Sequence, residues 1–387
     1  MNIGFDAKRY FHNSTGLGNY SRTLVSGLVH SYPQNEYFLF NPKPSKRYTK
    51  EVAPNVHEVQ PSGFLYKKLP ALWRTKGITE DLKSARVDLY HGLSHEIPVG
   101  IDKTGIKSVV TIHDLIFERY PEQYGKLDRR IYRQKFQYAC KHADRVIAIS
   151  QQTAQDLVAI YKIDPSKIDV CYQSCDPAFG QQVSDKAKET IRRKYNLPQQ
   201  YFLYVGSIIE RKNLLTICQA LHLLSNELDV PLVVIGAGKG YKEKVKAFIA
   251  EKGLGQQVIF LSESPLIDAA FQMPQTFAAI YQMAVAMIYP SFFEGFGIPV
   301  LEALWSRIPV ITSNVSCMPE TGGEAAYYID PQSADEMAQG MLSIYHDSAL
   351  RETMTLKGWQ HAQRFIVEKC ASSVMSVYQK VIHGRNF

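Results

Sequence analysis

Glu294 and Glu302 stand eight positions apart in EGFGIPVLEAL, residues 294–304, with Gly295, Gly297 and Pro299 between them. Proline is favoured where a helix begins, so Pro299 puts Glu302 in the first turns of a helix and Glu294 in the turn before it. A surface helix would scatter such acids among lysines, and a core helix would exclude them. The stretch is therefore either a binding turn armed with two carboxylates or a helix cap beside a solvated glutamate.

Two further places could handle a negatively charged ligand. In VGSIIERKNL, residues 205–214, Arg211 and Lys212 are adjacent cations between a strand and a helix, suited to a diphosphate or to a solvated basic turn. In STGLGNYSR, residues 14–22, Gly16 and Gly18 follow the first strand and open a helical pattern. Glycines let backbone approach a ligand, and a helix start offers amide hydrogens and a positive dipole end, so a phosphate fits; an ordinary strand-to-helix turn fits too. The glycines of VVIGAGKG, 233–240, miss the G-x-G-x-x-G spacing and read as a packing turn. No D-x-D occurs, so no metal is expected, and protein cations and amides would have to carry any departing phosphate charge.

The elements that must position these residues are short apolar runs alternating with helical patterns, the mark of parallel sheets covered by helices. Strands are expected at 2–6, 36–40, 87–92, 108–114, 145–150 and 167–172, and, after a polar segment at 180–200, at 201–207, 231–238, 257–262, 285–291, 308–314 and 325–330. Ser150 is placed to cap the helix that follows it. The restart predicts an α/β fold of two Rossmann-like domains, 1–180 and 181–365, with a last helix, about 366–383 within 366–387, crossing back to the first. Open parallel sheets bind ligands at the carboxyl ends of their strands, so two facing sheets would form a cleft between them.

The bulk composition narrows the class. A length of 387 residues with 45% hydrophobic and 21% charged residues allows two sizeable cores. A net charge of +7 suits an anionic partner, but it is spread over many segments, and nucleic acid is not expected. The six cysteines form neither a disulfide framework nor a metal-ligand set and are expected to be reduced and mostly buried. The start, MNIGFDAKRY, lacks signal-peptide character and no apolar run reaches spanning length, so the expected location is cytoplasmic.

These motifs together resemble the family 4 retaining glycosyltransferases of the glycosyltransferase-B fold over nearly the whole chain. Glu294 and Glu302 match that family's E-x7-E pattern within YPSFFEGFGIPVLEAL; IPVITSN, MPETGGEAAYYIDP, VVTIHDL, AISQQTAQDL and VGSIIERKNL follow the family's order. The resemblance implies that Glu302 binds the nucleotide ribose and Glu294 the transferred sugar, stabilising positive charge at its anomeric carbon. It implies that the Phe296, Gly297 and Ile298 amides face sugar or phosphate, that His113 lies by the donor sugar, and that Arg211 and Lys212 clamp the diphosphate. Many relatives carry an arginine where this chain has Ser207, which puts one cation of the clamp in question.

The implied activity is transfer of a sugar from a nucleoside diphosphate to an acceptor hydroxyl with retained configuration and no metal. The motifs resemble those of bacterial surface-polysaccharide mannosyltransferases, so GDP-mannose is the first donor to consider and a glycan or lipid-linked glycan the expected acceptor. His91 is a further candidate on the acceptor side. Two segments, 61–77 and 128–142, mix apolar and basic residues and suit either peripheral contact with an anionic membrane or helices with one buried face. The alternative is a catalytically inactive nucleotide-sugar-binding protein of the same fold. A Rossmann oxidoreductase is disfavoured by the poor glycine fingerprint.

Overall fold

The computed structural model describes residues 1–384, and the chain divides into two compact units. The first comprises Met1–Cys175 and the C-terminal segment from Phe365, and the second Asp176–Arg364. The first unit carries β1 (Asn2–Asp6), β2 (Glu36–Phe40), β3 (Val56–Val59), β4 (Leu89–Gly92), β5 (Lys107–Ile112), β6 (Arg145–Ala148) and β7 (Ile168–Val170). They form one parallel sheet in the order β3-β2-β1-β4-β5-β6-β7. The second unit carries β8 (Phe202–Val205), β9 (Leu232–Ile235), β10 (Val258–Phe260), β11 (Ala286–Tyr289), β12 (Val310–Ser313) and β13 (Tyr327–Ile329), ordered β10-β9-β8-β11-β12-β13 and again parallel.

Both sheets reverse their winding once, between β1 and β4 and between β8 and β11. At such a switch point neighbouring loops part and leave room for a ligand beyond the strand carboxyl ends. Strands buried on both faces read as continuous apolar runs, and every expected strand forms: β1 and β2 span the expected residues, β5 begins one residue early, and the ends are otherwise trimmed. The strand not anticipated is β3, VHEV. It lies at the sheet edge with only Val56 fully buried, so its sequence lacks the apolar signal.

The polar segment at 180–200 contains a helix, Asp185–Tyr195, capped by the Ser184 hydroxyl accepting from the Ala187 amide at 3.3 Å. Ser150 caps Gln151–Tyr161 in the same way, 3.0 Å from the Thr153 amide. The last helix, Val367–His383, packs in the first unit against the Gly16–Ser31 helix. A Cβ at Gly27 would fall 2.6 Å from Val367 Cγ1, so glycine there sets the approach of the two helices. Lys380 anchors the far end on Asp169 at 2.7 Å. None of the six cysteines forms a disulfide, and all six are buried.

Candidate active site

In the second unit the two halves of the switch point supply the two halves of a charge cluster. The chain leaves β8 through Gly206 and reaches Arg211 and Lys212 in the turn Glu210–Lys212. A Cβ at Gly206 would stand 3.2 Å from Lys212 Cδ, so the glycine makes room for the lysine stem. Asn213 comes next in the left-handed region (φ 60°), which asparagine tolerates better than most residues. Its side-chain amide donates to the Pro290 and Pro331 carbonyls at 3.3 and 2.6 Å, and its oxygen accepts from Thr216 at 2.8 Å. One buried asparagine thus ties the turn after β8 to those after β11 and β13.

Four donors converge on Glu294 Oε1. Arg211 lies 2.7 Å away, Lys212 3.1 Å, the Tyr289 hydroxyl 3.0 Å and the Ser291 hydroxyl 2.8 Å. Lys212 also donates to the Tyr289 hydroxyl, and Arg211 to the Phe293 carbonyl. The Glu294 backbone is held as well: Ser316 Oγ accepts from its amide at 3.2 Å and donates to its carbonyl at 3.0 Å. Burial alone would raise the Glu294 pKa, but Lys212 and Arg211 outweigh it and hold the carboxyl near 2. Burial lowers the Lys212 ammonium below its ordinary value; Glu294 opposes that shift and Arg211 adds to it. The cluster is therefore one anion held by two cations.

Gly297 sits at φ +97° immediately before the Ile298–Trp305 helix, and a Cβ there would meet Met318 Cε at 2.7 Å. Conformation and contact both require glycine at that point. Phe296 is buried, and its carbonyl accepts from Thr321. Ile298, partly exposed, opens the helix that carries Glu302. Glu302 accepts from the Tyr281 hydroxyl at 2.8 Å. Burial pushes its carboxyl up to about 7, with Asp176 adding to the rise while Tyr281 and Lys212 oppose it. The two glutamates of one motif are thus in opposite states: Glu294 is locked as an anion, and Glu302 is poised to titrate near neutrality.

The first unit holds the other expected residues. His113 follows β5; its Nε2 donates to the Leu93 carbonyl at 2.9 Å, which leaves Nδ1 as the acceptor nitrogen. Burial lowers its pKa to about 4, so the ring is neutral at pH 7. Tyr20, from the Gly16–Ser31 helix, packs edge-on against it at 4.6 Å. Gly16 is exposed with open space around it, as an approached backbone requires. Gly18 differs from expectation: its amide already donates to Asn13 Oδ1 at 3.0 Å and the Thr15 carbonyl at 2.9 Å. A Cβ there would fall 1.9 Å from the Asn13 carbonyl oxygen, so local packing accounts for this glycine.

His91 is not an open acceptor-side group. It is fully buried, with Nδ1 2.6 Å from the Tyr378 hydroxyl and Nε2 2.8 Å from Thr111 Oγ1. The residues that sequence reasoning missed are supports: Tyr289, Ser291, Asn213, Ser316 and Tyr281. The run YPSFFE carried a signal for two of them, because a polar side chain next to a buried acid is a natural partner. Among the described residues there is no group of three or more His, Cys, Asp or Glu side chains able to hold a metal.

Residues 14–179 match the Glycosyltransferase Family 4 signature, and residues 187–360 that of Glycosyl transferases group 1. The chain is 25% identical over 396 aligned residues to O-antigen chain mannosyltransferase B of Escherichia coli, covering 98% of this chain and 100% of that protein. Its fold superposes on a glycosyltransferase from Rickettsia africae with a TM-score of 0.76, at 17% identity and 99% coverage of both chains. Anabaena HepE in complex with UDP-glucose gives a TM-score of 0.71 at 15% identity, covering 98% of this chain and 100% of HepE. The fold is the two-domain α/β glycosyltransferase-B fold. The chain belongs to the family 4 glycosyltransferases and is a transferase.

Proposed function

We propose that the protein moves mannose from GDP-mannose to a hydroxyl of a growing surface glycan, lipid-linked at its far end, on the cytoplasmic side of the membrane. Transfer proceeds with retention and without a metal. The observation that carries the reading is the convergence of Arg211, Lys212 and Glu294 at the β8–β11 switch point, close enough to Glu302 for Lys212 to act on its charge. Mannose is favoured by the likeness to an O-antigen mannosyltransferase along the full length of both chains.

The arrangement suggests how binding proceeds. The diphosphate replaces Glu294 Oε1 as the partner of Lys212 and Arg211, two charge-assisted contacts exchanged for two others. The released carboxylate then accepts from a sugar hydroxyl and faces the positive charge that develops at the anomeric carbon. Glu302 accepts from the ribose diol. The bond from the anomeric carbon to the phosphate oxygen breaks, and its electrons stay with the diphosphate. The acceptor oxygen bonds the same face of that carbon and gives its proton to the departing phosphate. Lys212 and Arg211 stabilise that leaving group, which is the work a metal would otherwise do.

The test is turnover of GDP-, UDP- and ADP-linked sugars with excess EDTA present. Mannose transfer from GDP-mannose at an undiminished rate, with an α-linked product, supports the reading. A requirement for divalent metal or an inverted product contradicts it. Binding of a nucleotide sugar with neither transfer nor hydrolysis would assign the chain to the inactive binding class.

A further inference from the structure

In the first unit, a segment beside the sheet presents apolar side chains to solvent. The short helices Phe64–Lys68 and Pro70–Leu72 bury none of their residues. Phe64 is 74% exposed, Leu65 58%, Leu69 48% and Leu72 36%. Short helices are not stable in isolation and usually persist by burying an apolar face. Here the next two residues of the chain provide the anchor. Trp73 is fully buried, and Arg74 forms a buried pair with Asp6 at 2.8 Å and reaches Glu96 at 3.2 Å. The segment is thus fixed from behind, leaving the apolar side chains outward.

Cations accompany these side chains. Lys67 and Lys68 are exposed, and the Lys68 ammonium lies 4.5 Å from the centre of the Phe64 ring. Lys76 is exposed at the end of the same segment. Glu96 also binds Lys135, at 3.2 Å, on the helix Lys126–His142, and the Gly100 amide donates to the Tyr138 hydroxyl of that helix at 2.7 Å. The loop between Glu96 and Gly100 therefore joins the two basic segments, and it exposes Val99 (49%) beside Thr75, whose carbonyl takes the Val99 amide at 2.8 Å. On the second helix Leu127 is 71% exposed, with Arg129 and Arg130 nearby in sequence.

Charge across the chain is divided unevenly. The first unit has 28 basic and 18 acidic residues, a formal +10, and the second has 16 and 19, a formal −3. Apolar side chains ringed by lysines on the positive unit match one kind of surface in both respects. Anionic headgroups attract the lysines while the acyl boundary takes up phenylalanine and leucine. Among the described residues no helix is long and apolar enough to cross a membrane, so such contact would be peripheral.

We infer that Phe64, Leu65, Leu69 and Leu72, with Lys67, Lys68 and Lys76, form a docking surface for an anionic lipid bilayer. The surface lies on the unit without the phosphate-clamping cations, and the inference does not depend on the identity of the donor. A second copy of the chain is the competing occupant. It is disfavoured because it would set like-charged lysines against each other.

Co-sedimentation with vesicles of phosphatidylcholine alone and of phosphatidylcholine mixed with phosphatidylglycerol tests this on the full chain. The parent protein is expected to sediment with the mixed vesicles and to be released by high salt. The Lys67→Glu/Lys68→Glu variant should lose affinity by about five-fold or more for each lysine, and Phe64→Ser/Leu65→Ser by about ten-fold or more. Both should melt as the parent does, since these side chains are mostly exposed. Sedimentation equal with both vesicle types, or variants that sediment like the parent, overturns the inference. So does a concentration-dependent dimer, seen by light scattering, that either variant abolishes.

Discussion

The two units wind alike yet treat charge at their switch points in opposite ways. In the second unit Arg211, Lys212 and Glu294 meet at one carboxylate oxygen, supported by hydroxyls that a ligand can replace. In the first, Asp6 at the end of β1 takes Arg74 in a doubled contact, 2.9 and 2.8 Å, with both side chains almost wholly buried. The burial of that pair and its role behind the exposed segment make it a structural bolt. An ion pair at a strand's carboxyl end is therefore not by itself a functional sign. What distinguishes the second cluster is the surplus: two cations share one anion, so a second anion has somewhere to bind.

The largest expected effect tests the bolt. Asp6→Ala leaves Arg74 buried with one weaker partner and should lower unfolding free energy by about 3–5 kcal/mol, read from urea denaturation. Unchanged stability would mean that the pair is a site after all. Next comes the clamp, where Lys212→Ala should reduce turnover roughly 100-fold, about 2.7 kcal/mol, with little change in stability. A variant with parent turnover would remove the distinction between the clusters.

Glu302 gives a smaller and pH-dependent effect. Its folded carboxyl titrates near 7, raised by burial, so it is mostly ionised at pH 8 and mostly protonated at pH 6. Ribose binding favours the ionised form, so donor affinity should fall about ten-fold from pH 8 to pH 6. In Glu302→Gln, donor affinity should be weak and flat over that range. A parent enzyme whose donor KM is constant from pH 6 to pH 8 would exclude the ribose role. The smallest effect is Thr216→Val, which strips one hydrogen bond from Asn213 and should cost about 1 kcal/mol of stability. A loss in turnover much larger than that would show that the Asn213 turn positions Lys212.

Much of the fold and of the site is legible in the sequence, for physical reasons that also explain the gaps. Buried parallel strands announce themselves as apolar runs, and the E-x7-E stretch packs acids, glycines and a proline too closely for an ordinary helix. Asp6 and Arg74, by contrast, meet across 68 positions, and Asn213 reaches carbonyls 77 and 118 positions away. No local pattern encodes such pairings. Arg74 looks like one more solvated cation because it shares its segment with Lys67, Lys68 and Lys76, and Gly18 looks like a ligand contact because Asn13, five positions earlier, closes the turn from behind. The edge strand β3 escapes notice because solvent lets it keep His57 and Glu58.

At the centre of the proposed function lies an exchange, in which Lys212 and Arg211 trade Glu294 for the donor's diphosphate. Calorimetric titration of GDP, UDP and ADP, with EDTA present, into the parent, Lys212→Ala and Glu294→Gln proteins tests it directly. The preferred nucleotide should bind Lys212→Ala about ten-fold or more weakly, and Glu294→Gln at least as tightly as the parent, because the competing anion is gone. Equal affinity for Lys212→Ala and the parent, or clearly weaker binding to Glu294→Gln, would contradict the exchange.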